Sequence, residues 1–65
     1  MDDILQALAK MLNMTADEVS SLLTAFKGNA PQIYETLLRE KMFYDIIRGN
    51  SDLKPSKLLR ISLLD

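Results

Sequence analysis

The chain has 65 residues, of which 48% are hydrophobic and 26% charged, with no Cys and no His. A single small domain is the most this length holds; the apolar content argues against disorder, and disulfides, thiolate chemistry and the usual zinc ligand sets are excluded. The formal charge is −1, but residues 1–32 carry four acids and two bases while residues 33–65 carry five acids and six bases (nine and eight in all).

The first segment, "DDILQALAKML", sets Ile4, Leu5, Leu8, Met11 and Leu12 at helical spacing and predicts a helix over 3–12. Asp2 or Asp3 can cap it and suits the positive end of the helix dipole. A second helix is signalled by Thr15 followed by Glu18, the pattern of a capping box, with Met14 and Val19 placed as a hydrophobic staple. Val19, Leu22, Leu23 and Phe26 then repeat on one side, and Gly28 is the expected stop. Asn29 suits the cap of a third helix, with Pro31 in its first turn. Ile33, Leu37, Ile46 and Ile47, with Tyr34, Leu38 and Met42 alongside, predict one long helix over 30–48, ended by Arg48 and Gly49. In the tail, "LKPSKLLRISLLD", Ser56 offers a cap, but the apolar pattern runs almost all round. Periodicity there does not separate helix from strand; a short fourth helix is the favoured reading. The expected fold is all-α: a small three- to four-helix bundle, with a core over 4–48 and a tail over 51–65.

Catalytic groups are few. Asp2 with Asp3, and Asp17 with Glu18, are paired carboxylates, but each pair sits at a helix start where acids already stabilise the dipole. "KGNAP" has no phosphate-binding pattern and reads as a turn. No enzyme activity, cofactor or metal is expected. No apolar run reaches the ~18 residues of a membrane span, and the acidic start disfavours a signal peptide, so a soluble cytoplasmic protein is expected.

The stretch "LAKMLNMTADEVSSLL" has helix-turn-helix spacing, with Asn13 in the turn. The outward side chains of its second helix would be Thr15, Ala16, Asp17, Ser20, Ser21 and Thr24. Guanine edges and phosphates are usually met by Arg or Lys, and here the first Lys of that helix is Lys27. A DNA-binding regulator therefore ranks as an alternative, and nucleic acid as an unfavoured partner.

The stretches "LNM" at 12–14, "LL" at 22–23, "GN" at 28–29 and "LL" at 37–38 resemble the ubiquitin-associated (UBA) and CUE family of three-helix domains. The likeness covers residues 4–39. It implies a loop after helix 1 and the end of helix 3 forming one apolar docking patch, here Leu12, Asn13, Met14, Leu37 and Leu38, with a ubiquitin-like partner. The chain departs from the family loop: Met14 replaces its Phe, Asn13 its Gly, and the CUE-type Pro is missing. Asn tolerates the left-handed backbone, so these changes touch ubiquitin binding more than the fold.

The favoured function is a non-catalytic protein–protein interaction module that self-associates. Four Met residues fit an adaptable contact surface. Residues 40–65 add eleven large apolar side chains, more than a small bundle readily hides. Met42, Phe43, Ile46, Ile47, Leu58, Leu59 and Ile61 are thus expected at an oligomer interface, with folding back onto the bundle as the competing solution. A small phage or membrane-surface structural protein, attached through "KLLRISLLD", is a further alternative.

Overall fold

The computed structural model describes residues 3–64, and every regular element among them is an α-helix. In chain order these are α1 (Asp3–Leu12), α2 (Ala16–Asn29), α3 (Pro31–Arg39), α4 (Met42–Arg48) and α5 (Pro55–Ser62). The all-α class is as expected. The helix count is five rather than three or four.

α1 ends where its spacing predicted, and Asn13 supplies the turn. Its backbone is left-handed (φ 56°), its N–H donates to the Lys10 carbonyl at 3.3 Å, and the Met14 N–H donates to Ala9 at 2.9 Å. This is a Schellman turn built on Asn where Gly is usual. Asp2, the other candidate cap, lies outside the described residues. α2 opens with the expected capping box: the Glu18 N–H donates to Thr15 Oγ1 at 3.1 Å, and the Thr15 N–H to Glu18 Oε1 at 2.8 Å.

Gly28 does not stop α2. The helix continues through Gly28 and Asn29, and the Ala30 N–H still donates to Phe26 at 2.8 Å. Pro31 sets the end instead, because it has no N–H to give and its ring pushes the preceding residue out of the helical region. Ala30 accordingly sits at φ −141°, ψ 65°. It also serves as the N-cap of α3, so the role expected of Asn29 falls to a residue whose side chain cannot accept from the first-turn amides.

The long helix expected over 30–48 is two helices. At about 100° per residue, Phe43 would point roughly 240° and Ile46 roughly 180° away from Leu37 on one straight helix. All three are buried in one core, so the rod has to break between them. It breaks at Lys41, whose left-handed backbone (φ 58°) costs on the order of 1–2 kcal/mol in a residue with a side chain. Burial of Phe43 and Ile46 offsets that cost, at roughly 1.5–3 kcal/mol for each. α4 then closes on Gly49 (φ 78°), with Asn50 N–H donating to Asp45 at 2.8 Å. In the tail, Lys54 rather than Ser56 occupies the N-cap of α5, and Pro55 takes its first position.

The core comprises Leu8, Ala9, Val19, Leu22, Phe26, Leu37, Phe43, Ile46 and Leu58. α2 is the hub, packed against α1, α3 and α5, while α4 lies against α1 and α3. Phe26, Tyr34 and Phe43 run edge to face across α2, α3 and α4, with ring centroids 6.2 and 5.9 Å apart. Such pairs add about 0.5–1.5 kcal/mol beyond area burial.

Candidate functional site

The five residues of the expected docking patch are dispersed in role. Leu12 is half-buried against the core, Asn13 is an exposed turn residue, Leu37 is fully inside, and Leu38 is 53% exposed. Met14 borders a groove of about 360 Å³ between α2 and α5. Glu18, Ser21, Leu22 and Ala25 complete its α2 wall, and Leu59, Ser62 and Leu63 form the α5 wall. Neither Leu37 nor Leu38 lines it. The loop methionine is therefore completed by α5, an element the three-helix family resemblance does not cover.

The expected oligomer surface is largely interior. Phe43, Ile46 and Leu58 are core residues, since the break at Lys41 and the return of α5 turn them inward. Met42, Ile47, Leu59 and Ile61 are half-buried and pack against that core. Of the seven, Leu59 and Ile61 also reach surface depressions.

The α2 side chain of Asn29 hydrogen-bonds to the end of α5, and Ser62 is satisfied within α5 itself. The Asn29 amide nitrogen donates to the carbonyls of Ile61 (2.9 Å), Ser62 (3.3 Å) and Leu64 (2.9 Å), tying together the end of α5, whose last carbonyls have no helical partner. Ser62 is 7% exposed and donates its hydroxyl to the Leu58 carbonyl. Ser62 lines the groove together with Leu59 and Leu63. Asn29 does not cap α3 as its position predicts; its side chain instead binds the C-terminal end of α5, 32 residues away. Ser62, Ala25 and Leu63 gave no comparable signal, because a tail that is apolar all round does not say which side faces out.

Two further depressions flank this groove. One, of about 220 Å³, lies along α5 between Lys57, Arg60, Ile61 and Leu64. The other, of about 330 Å³, is bounded by Leu5, Ser20, Leu23, Thr24, Lys27 and Tyr34. There the Lys27 ammonium stands 5.6 Å from the Tyr34 ring centre, and the Thr24 hydroxyl is committed to the Ser20 carbonyl at 3.0 Å.

The α2–α5 groove has one ionisable side chain, Glu18, and its carboxylate already accepts the Thr15 N–H. Apart from Glu18 and the hydroxyls of Ser21 and Ser62, of which the Ser62 hydroxyl is bound to the Leu58 carbonyl, the lining is apolar, and Leu63 on its edge is 72% exposed. Its chemistry is the burial of an apolar side chain. Among the described residues no helix is long and apolar enough to cross a membrane. No protein-family model matches the chain, and no curated protein or solved structure matches it either.

Proposed function

We propose that this chain is a non-catalytic protein–protein interaction module and that it docks its partner in the α2–α5 groove. The observation that carries the reading is Leu63, 72% exposed on the edge of this largely apolar groove, next to Leu64, 61% exposed at the neighbouring depression on α5. Large side chains left in water next to a groove forgo burial worth roughly 1.5–3 kcal/mol each, and clustered exposure of this kind marks contact surfaces. Met14 on the groove wall adds an unbranched side chain able to repack against different occupants.

The DNA-binding alternative is less well supported. The exposed positions of α2 include Asp17, Glu18, Ser20, Ser21 and Thr24, carboxylates and hydroxyls where phosphates call for cations. The membrane-surface alternative draws on α5, which has already committed Leu58 and Ser62 to the interior.

A photo-cross-linking amino acid placed at position 63, with a control at the exposed Gln32 on α3, tests the reading in cells. Position 63 is expected to give a discrete protein adduct that Gln32 does not. The same yield from both positions, or none from 63, overturns the proposal.

A further inference from the structure

The depression bounded by α1, α2 and α3 shares no lining residue with the α2–α5 groove. Ser20, Leu23, Thr24 and Lys27 are spaced i, i+3, i+4, i+7 and so form one strip along α2, on the other flank of its buried Val19 and Phe26 from the groove. Leu5 of α1 and Tyr34 of α3 complete the lining. At about 330 Å³ the depression is at the lower end of the range for small-molecule sites. The Tyr34 ring is fixed from two sides, edge to face with Phe26 at 6.2 Å and with Phe43 at 5.9 Å. The Lys27 ammonium stands over that ring, 5.6 Å from its centre, within reach of cation–π attraction. Core packing is thus carried through one ring to the position of a surface charge.

Among the described residues no acid answers that charge. The lining holds no carboxylate, and the ion pairs, Arg39 with Glu40 and Arg48 with Asp45, leave Lys27 out. Lys27, Ser20 and Tyr34 bring an ammonium and two hydroxyls, all able to donate, whereas the Thr24 hydroxyl has given its proton to the Ser20 carbonyl. One positioned cation with a surplus of donors is complementary to an acceptor of a single negative charge. A carboxylate has that charge; a phosphate monoester, at about −1.5 to −2 near neutral pH, would leave part of its charge unanswered. Leu5 and Leu23 supply apolar surface beside the cation. We propose that this depression binds a small aliphatic monocarboxylate. Its head group accepts from Lys27 Nζ and from the Tyr34 and Ser20 hydroxyls, and its chain lies along Leu5 and Leu23.

Hexanoate is the probe, titrated at neutral pH into the isotope-labelled full chain and followed by amide chemical shifts. Saturable shifts are expected at Leu5, along Ser20 to Lys27 and at Tyr34, with a dissociation constant of roughly 0.1–10 mM. Hexanol, which has the same chain without the charge, should bind at least about tenfold more weakly. Lys27→Gln should weaken hexanoate at least about tenfold, while Lys27→Arg, which keeps the charge, should lose less than about threefold. Position 27 is exposed, so both variants should keep the circular dichroism spectrum of the unmodified chain. Tyr34→Phe keeps the ring and its contacts and removes only the hydroxyl, and should weaken binding by about two- to tenfold. The absence of saturable shifts up to about 50 mM overturns the proposal, as does equal binding of hexanol. Hexanoate binding indifferent to Lys27→Gln overturns it as well. Inorganic phosphate that bound more tightly than hexanoate would overturn the assignment to a carboxylate.

Discussion

Thr15 holds the start of α2 from both directions, accepting from the Glu18 amide while its own amide is bound by the Glu18 carboxylate. Thr15→Ala removes the hydroxyl and leaves that first turn without its acceptor, at a cost of roughly 0.5–2 kcal/mol. For a domain of this size each kcal/mol is worth about 4–8 °C, so the thermal midpoint should fall visibly. An unchanged midpoint would show that the cap does not hold α2. Gly28 gives a prediction of opposite sign. It lies inside α2 without a positive φ, and a Cβ added there would meet nothing within 4 Å. Gly28→Ala should therefore stabilise the chain by up to about 1 kcal/mol, read as a higher urea midpoint. A left-handed glycine at the helix end would give destabilisation instead. The two residues also show why one boundary was legible and the other was not. Thr15 and Glu18 each carry a side chain that makes the bond, so the sequence contains the mechanism. Gly28 carries only permission to turn, and the residue that enforces the end of α2 is Pro31, beyond it.

At the scale of elements, two junctions decide the arrangement, and neither is written locally. The α3–α4 break falls at Lys41, a residue with no preference for the left-handed backbone it adopts. The sign of that break was present only in the phase of the apolar residues, since Leu37 and Ile46 cannot share a face on one straight helix. The second junction is the grip of α2 on α5 through Asn29, whose partners lie more than thirty residues away. No local pattern points to such a bond. Its removal is testable at the element it holds. Asn29→Ala should cost about 0.5–1.5 kcal/mol, the net value of a hydrogen bond, and raise amide hydrogen exchange in α5 ahead of α1. Asn29→Asp should cost more than the alanine, because a carboxylate would face carbonyl oxygens with nothing to donate. If the aspartate variant were the more stable of the two, the bonds of Asn29 to α5 would not be holding that helix.

For the whole molecule, the question is how 65 residues distribute more apolar side chains than a three-helix core holds. That excess was plain in the sequence; its allocation was not, because a tail apolar on nearly every side fits both a fold-back and an interface. The chain divides it. Leu58 is wholly buried and Leu53, Leu59 and Ile61 pack against the core, while Leu63 and Leu64 stay outside. α5 is thus structural along its inner face and available along its rim, and two substitutions on that one helix should separate the roles. At about 0.05–0.15 kcal/mol per residue a domain of this length has roughly 3–10 kcal/mol of stability in total. Leu58→Ala, which opens a cavity beneath α5, is expected to remove about 2–5 kcal/mol of it. A chain ending after Asn50 loses that side chain together with the three half-buried ones, which leaves little or no net stability. It should lack a cooperative thermal transition and show reduced helical dichroism. A fragment 1–50 that melted cooperatively at the full chain's midpoint would mean that α5 adds nothing to the core. Leu63→Glu, five residues beyond Leu58, should leave the midpoint of the monomer where it was. Loss of folding at position 58 with retention at position 63 is the pattern expected of a helix that closes its own core with one face and offers the other to a partner.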